Sequence, residues 1–291
     1  VRAIVLDADG LPELADLPEP AGSGLLVRVR ACGLCGSDSE KLGRAPAGTV
    51  LGHEIAGELE NGDRVTVVSH VPCGTCERCL AGHQSTCGEF RASRVEPGGF
   101  AELVRASHCV PVPAELDELA VVYVEPLACV LRAAERIPRG RVLVAGCGSV
   151  GLLFVQVLLA RGDEVAVVEP RPDRRARALE LGANELRDPV AAAVLTAPAA
   201  LNETLARLEP GGTLVVFAAP PDAVPALLDA IYHKELSVVG SRSATPAYFR
   251  DAIALLPALE LPEATWLPLE RFREGLELYT RGDALKVVFA P

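Results

Sequence analysis

The chain has 291 residues, 49% of them hydrophobic, which is enough to build two cores but not three. No apolar run reaches the roughly 20 residues that span a bilayer, which excludes a transmembrane helix. The net charge of −11, with no basic cluster to displace counterions from phosphates, excludes a nucleic-acid partner; Arg174, Arg175 and Arg177, followed by Glu180 and Glu185, read as a solvated helix face.

The first segment, VRAIVLDADG, shows no basic stretch followed by a small-residue cleavage site. That predicts a cytoplasmic chain with reduced thiols, in which grouped cysteines bind metal more often than they pair. Nine cysteines, an odd number, cannot all pair within the chain. Scarce Asn and Gln with abundant Pro and Arg point to a thermophile. Over residues 1–126 the apolar runs (AIVLD, LLVRVRA, GDRVTVVS, FAELVRA) are short and divided by Gly and Pro, which predicts a β-rich, loop-rich domain. Two of its stretches hold candidate ligands, ACGLCGSDSE at 31–40 and VLGHEIAG at 50–57. Cys35, His53 and Glu54 there are one soft and two harder ligands on turns after strand-like segments.

A lobe over 70–90 follows, with Cys73, Cys76, Cys79 and Cys87 spaced C-x2-C-x2-C-x7-C. Four thiolates satisfy a tetrahedral zinc with no open position, and Gly74 and Gly82 let the loop wrap it. An iron–sulfur site stays open as the alternative, because C-x2-C-x2-C runs also serve ferredoxins; the long third gap and the lack of Pro after Cys87 favour zinc. A thioredoxin-type dithiol would leave two cysteines without a role.

From residue 127 to 241 the texture changes to continuous apolar strands, RVLVAG, EVAVVE, AAVLTA, TLVVFA and LSVVGS, most of them separated by helical stretches. That pattern predicts βαβ units around a buried parallel sheet. Between Arg187 and Ala192 there is no room for a crossover helix, so the edge strand near Asn184–Arg187 is expected to be vestigial. The domain opens on VLVAGCGSVG, with Gly146, Gly148 and Gly151 in G-x-G-x-x-G spacing between a strand and an apolar helix that begins at Ser149 and Val150. Such glycines permit a tight turn and close approach to a pyrophosphate at the helix N-terminus, which predicts dinucleotide binding. Glu169 ends the second strand, where a carboxylate accepts ribose hydroxyls and repels a 2′-phosphate; Arg171, two residues on, could clamp that phosphate instead. NAD is expected to be preferred, with NADP use possible. Residues 242–291 return through two helical stretches to the strand KVVFA.

CGSD, LGHE, the four-cysteine lobe, GGFAE at 98–102, EPL at 125–127 and GCGSVG stand in the order seen in the zinc-dependent medium-chain alcohol and polyol dehydrogenases, which the chain resembles over nearly its whole length. The resemblance implies an α/β protein: a GroES-like catalytic domain (1–126, completed by 242–291) and a Rossmann domain (127–241). It implies two zinc ions per chain. One is structural, in the cysteine lobe; the other is catalytic, held by Cys35 and His53 with Glu54 or Glu125 as the acidic ligand. The activity implied is hydride transfer between a nicotinamide and the hydroxyl of a small alcohol, polyol or sugar, in a homodimer or homotetramer. Members that act on simple alcohols usually carry a His five residues after the catalytic Cys; here Glu40 stands there, as in the glucose and sorbitol dehydrogenase branch. Ser37 is expected to pass the substrate proton on, or else to serve as a turn or cap serine. Glu40 and Glu102 are candidate substrate contacts, with solvated surface carboxylates as the alternative. A catalytically silent, cofactor-binding regulatory relative is the rival reading, because the loop between CGSD and LGHE is short and the relay His is missing. A redox-sensing thiol protein would instead bind no dinucleotide.

Overall fold

The computed structural model describes residues 1–91, 95–187, 189–219, 225–226 and 228–291. The chain divides into two compact units, Val1–Ala128 with Ser243–Pro291, and Cys129–Arg242.

The first unit opens with a hairpin, β1 (Arg2–Leu6) and β2 (Pro12–Asp16), then β3 (Leu25–Gly33), the single-turn α1 (Gly36–Ser39), β4 (Glu54–Leu59) and β5 (Arg64–Val67). The lobe contributes the short α2 (Glu77–Leu80) and two 3-10 turns, Gln84–Thr86 and Glu89–Arg91, and β6 (Val95–Glu96), β7 (Leu103–Ala106) and β8 (Cys109–Pro111) follow. Two helices, α3 (Glu118–Val122) and α4 (Val124–Ala134), lead into the second unit. Alternation of apolar and polar residues along β3 buries Val27, Val29 and Ala31 and turns Arg28 and Arg30 out, as one-sided burial of an antiparallel sheet requires. The core of this sheet is closed by Phe100, Phe272 and Phe289, whose rings meet at 4.6–5.5 Å between centroids.

The second unit is a parallel sheet of β9 (Arg141–Ala145), β10 (Glu164–Val168), β11 (Asn184–Glu185), β12 (Val190–Leu195), β13 (Leu208–Val216) and β14 (Ser237–Gly240), in the order β11-β10-β9-β12-β13-β14. It is the doubly wound order, with the chain reversing direction across the sheet between β9 and β12. β9 is buried at four of its five residues, with α5 (Ser149–Ala160) packed on it; α6 (Pro172–Glu180) packs on β10, α7 (Leu201–Arg207) on β12 and β13, and α8 (Leu228–His233) against α7. The edge strand is two residues long, pairing Asn184 with Ala166 and Glu185 with Val167. With β12 starting at Val190, two residues earlier than the apolar run suggests, no crossover helix fits between them.

The first unit is completed by α9 (Pro246–Leu255), β15 (Ala264–Pro268), α10 (Phe272–Arg281) and β16 (Lys286–Ala290), with β16 joining β3 to β15. Strand β15 was hidden in the sequence because two prolines bound a five-residue run. No helix among the described residues is long and apolar enough to cross a membrane.

Candidate functional site: two metal-ligand groups and a dinucleotide turn

At the end of β3 the chain turns at Leu34, and Cys35 stands in extended conformation as the N-cap of α1. Three residues on, the buried Asp38 carboxylate accepts from the Cys35 N–H (3.1 Å) and the Gly52 N–H (3.3 Å), and lies 3.3 Å from Nδ1 of His53. One carboxylate therefore fixes the CGSD turn to the LGHE turn. It also occupies Nδ1, which leaves Nε2 of His53 to face a metal. Burial works against ionised Asp38, but the charge and hydrogen bond of His53 outweigh it and hold the carboxyl below its ordinary range.

Glu54 begins β4 with a buried side chain, held by the ammonium of Lys286 on β16. Lys286 also donates to the Leu34 carbonyl (3.3 Å) and sits 5.6 Å from the centre of the Tyr123 ring, so a fully buried cation is satisfied on several sides. A side chain at Gly33 would overlap both the Glu54 carboxylate and the Lys286 stem, which is why glycine ends β3. Ligand atoms of Cys35, His53 and Glu54 lie within 4.8 Å of one another, a set that could hold a metal ion. Ser37 Oγ donates to Cys35 Sγ at 3.5 Å, beside this group.

The other sequence candidates stand apart from it. Glu125 lies on α4 outside the ligand group, although its charge is felt by Lys286. Glu40 is exposed at the end of α1; partial burial raises its carboxyl against the opposing charges of Lys41 and Arg44. Both oxygens of Glu102 are taken by Arg2, from the backbone N–H and Nε at 2.8 Å each, in a contact that ties β1 to the GGFAE segment.

In the lobe, the Sγ atoms of Cys73, Cys76, Cys79 and Cys87 also lie within 4.8 Å of one another, and no disulfide joins them. Cys73 Sγ is 3.6 Å from Cys87 Sγ and 3.9 Å from Cys79 Sγ. Thiolates around one tetrahedral zinc with bonds near 2.3 Å stand about 3.8 Å apart, so the cradle fits a single ion and is too tight for a multi-iron cluster. Backbone N–H groups of Thr75 and Cys76 draw the Cys73 thiol down to about 6, which favours the thiolate a metal needs. Phe90, stacked on His70 at 5.3 Å, gives the lobe its small core.

In the second unit the β9–α5 turn shows why two of its three glycines are needed. Gly146 takes φ +106, and any side chain at Gly151 would overlap the Gly146 carbonyl. A Cβ at Gly148 would meet open space, at the N-cap of α5 where backbone N–H groups of Ser149 and Val150 begin the helix. Glu169 accepts from the N–H of Cys147 (2.7 Å) and of Arg171 (3.0 Å), so the acidic residue braces the turn itself. Arg171 is paired with Asp173 at 3.1 Å.

Residues 22–114 match the alcohol dehydrogenase GroES-like domain. The chain is 32% identical to L-galactonate-5-dehydrogenase of Escherichia coli (strain K12) over 276 residues, 80% of each chain. It is 32% identical to D-altritol 5-dehydrogenase of Agrobacterium fabrum over 286 residues, 84% of each. Its fold superposes on galactitol-1-phosphate dehydrogenase from Escherichia coli with a TM-score of 0.85 at 26% identity, over the full length of both chains. With two ligand groups, a dinucleotide turn and these relatives in agreement, the chain belongs to the zinc-dependent medium-chain alcohol and polyol dehydrogenase family.

Proposed function

We propose that this NAD(P)-linked dehydrogenase oxidises a secondary hydroxyl of a polyol or aldose reversibly to a carbonyl, at the group formed by Cys35, His53 and Glu54. The observation that carries the reading is the convergence of those three ligand atoms within 4.8 Å of one another. Zinc bound there supplies a Lewis acid that lowers the pKa of a hydroxyl into the neutral range. Cys35 provides a soft anionic ligand, His53 presents Nε2 because Asp38 occupies Nδ1, and Glu54 is held ready by Lys286. Ser37 Oγ, next to Cys35 Sγ, relays the proton that leaves the substrate hydroxyl, accepting it while passing its own hydroxyl proton on to solvent. Glu125 serves from α4 as a further acidic group, through its charge on Lys286.

The four cysteines of the lobe hold a second, structural zinc, a reading supported by their tetrahedral spacing. In the second unit, Gly146, Gly148 and Gly151 with Ser149 and Val150 receive the pyrophosphate of the dinucleotide, whose nicotinamide accepts the hydride. NAD is preferred over NADP, because the buried Glu169 carboxylate stands where a 2′-phosphate would be repelled and Arg171 is committed to Asp173. The protein assembles as a homo-oligomer through β14, an outer strand of the parallel sheet with Val238 47% exposed. The test is a panel of polyols, aldoses and secondary alcohols with both oxidised cofactors, followed by reduced-nicotinamide absorbance. Turnover with a polyol supports the reading; binding of dinucleotide without turnover of any member would favour the silent regulatory relative.

A further inference from the structure

The peptide unit between Gly146 and Cys147 opens the β9–α5 turn, and side chains from the two strands beside β9 reach it from opposite sides. In the sheet β9 lies between β10 and β12. On the β10 side, Glu169 directly follows the strand, and its carboxylate accepts from the Cys147 N–H at 2.7 Å. The second carboxylate oxygen holds the Arg171 N–H at 3.0 Å, so Glu169 is itself fixed. On the β12 side, Thr196 directly follows the strand, with its Oγ1 2.8 Å from the Gly146 carbonyl and 2.9 Å from the Ala145 carbonyl.

One hydroxyl proton cannot serve two carbonyls equally. The Ala145 carbonyl already accepts the N–H groups of Thr196 and Ala197, at 3.0 Å each, which occupies its two lone pairs. The Thr196 proton therefore goes to the Gly146 carbonyl, the nearer oxygen. That carbonyl is confined on another side by Gly151, where any Cβ would overlap it. A Cβ on Gly146 would in turn stand 2.8 Å from Thr196 Oγ1 and 2.7 Å from the Ala197 Cβ, so the end of β12 closes directly over the turn.

A peptide plane swings through ψ of the residue before it and φ of the residue after it. Here the residue before is Gly146, at φ +106, and glycine restrains its own dihedrals less than any other residue. The glycine that the turn requires is thus also a loose joint, and the plane beyond it is held at its C=O by Thr196 and at its N–H by Glu169. Gly148 follows as the N-cap of α5, and then Ser149 and Val150, whose N–H groups begin the helix. Fixing the plane sets those donors in advance, so that an anion received there need not order the turn as it binds.

We propose that Thr196 is a positioning residue for the dinucleotide: its hydroxyl and the Glu169 carboxylate hold the Gly146–Cys147 peptide from opposite sides, and the turn is set for a pyrophosphate before the ligand arrives. This rests on the reading of the Gly146–Gly151 turn as the pyrophosphate site. The test measures the affinity of ADP-ribose, which carries a pyrophosphate, by calorimetry, and of adenosine, which carries none, by NMR titration. Wild type, Thr196→Val and Thr196→Ser are compared. Thr196→Val keeps the shape and loses the hydroxyl; ADP-ribose should bind about tenfold more weakly, while adenosine stays within about twofold. Thr196→Ser, which keeps the hydroxyl, should recover most of the lost affinity. Amide exchange across residues 146–151 of the free protein should quicken in Thr196→Val and not in Thr196→Ser. Should the valine variant fail to fold, Thr196→Ala removes the hydroxyl without setting a methyl against the carbonyl and carries the same expectations. Unchanged ADP-ribose affinity without the hydroxyl, an equal loss on ADP-ribose and adenosine, or no recovery in Thr196→Ser overturns the proposal. A wild type that binds neither ADP-ribose nor NAD overturns the reading of the turn as well.

Discussion

Asp38 joins the two turns that carry Cys35 and His53, so its loss should be felt through His53 rather than through folding of the sheet. Asp38→Asn keeps the shape but removes the charge that orients the imidazole; affinity for the zinc of this site should fall roughly tenfold or more, measured by competition with a chromophoric chelator. Cys35→Ala and His53→Ala should abolish turnover while dinucleotide affinity, measured by fluorescence, stays within about twofold, because the glycine turn belongs to the other compact unit. Retained turnover in either variant would contradict the ligand assignment. At this scale the sequence exposed the candidate ligands and concealed the residues packed around them. Cys35, His53 and Glu54 are legible because thiol, imidazole and carboxylate on Gly-bounded turns form a chemical pattern. Lys286 is not, because it lies more than two hundred positions from Glu54 and reads locally as the first residue of an ordinary strand. Gly33 is legible only once the Glu54 and Lys286 side chains it must clear are known. Asp38 stands inside the quoted CGSD, yet nothing local distinguishes a buried metal-site brace from a helix-cap aspartate.

Among the described residues of the cysteine lobe the apolar interior is little more than Phe90 and the cysteines themselves, so a metal bound there would supply much of its folding free energy. Cys76→Ala should lower Tm and raise protease sensitivity within residues 70–90. Acidification should release zinc from this lobe as thiolates take up protons, and chelators should empty the open Cys35 site before the closed four-thiolate one. The β9–α5 turn is as intolerant for a different reason. Gly151→Val would drive a side chain into the Gly146 carbonyl, and dinucleotide affinity should fall at least tenfold. Glu169→Gly should shift kcat/KM toward NADP, and Arg171→Ala should remove residual NADP use; a strong NADP preference in the unmutated protein would show that Arg171 governs the pocket. The strands of the second unit and the lobe spacing were readable from periodicity and cysteine count. The bracing of Cys147 and Arg171 by Glu169 was not, because backbone donors leave no trace in a sequence.

For the molecule as a whole, a β-rich first part, a parallel-sheet second part and the shortened sheet edge follow from the change of texture near residue 127 and the missing crossover, whereas the GroES-like and Rossmann assignments came from the order of the motifs. That residues 242–291 complete the first domain was implied by the resemblance; what stayed hidden is the pairing by which they do so, with β16 set between β3 and β15 and bringing Lys286 under Glu54. Long-range pairing of that kind is set by register, which no local pattern encodes. Assembly through β14 predicts a mass of at least two chains by light scattering at micromolar concentration, and a charged substitution at Val238 should shift it toward the monomer. The most direct test of the central claim is metal analysis paired with turnover in the wild type and in Cys35→Ala. The wild type should carry two zinc ions per chain, and Cys35→Ala should carry one and be inactive; a Cys35→Ala protein that keeps wild-type turnover, or a fully active wild type with a single zinc, would contradict it.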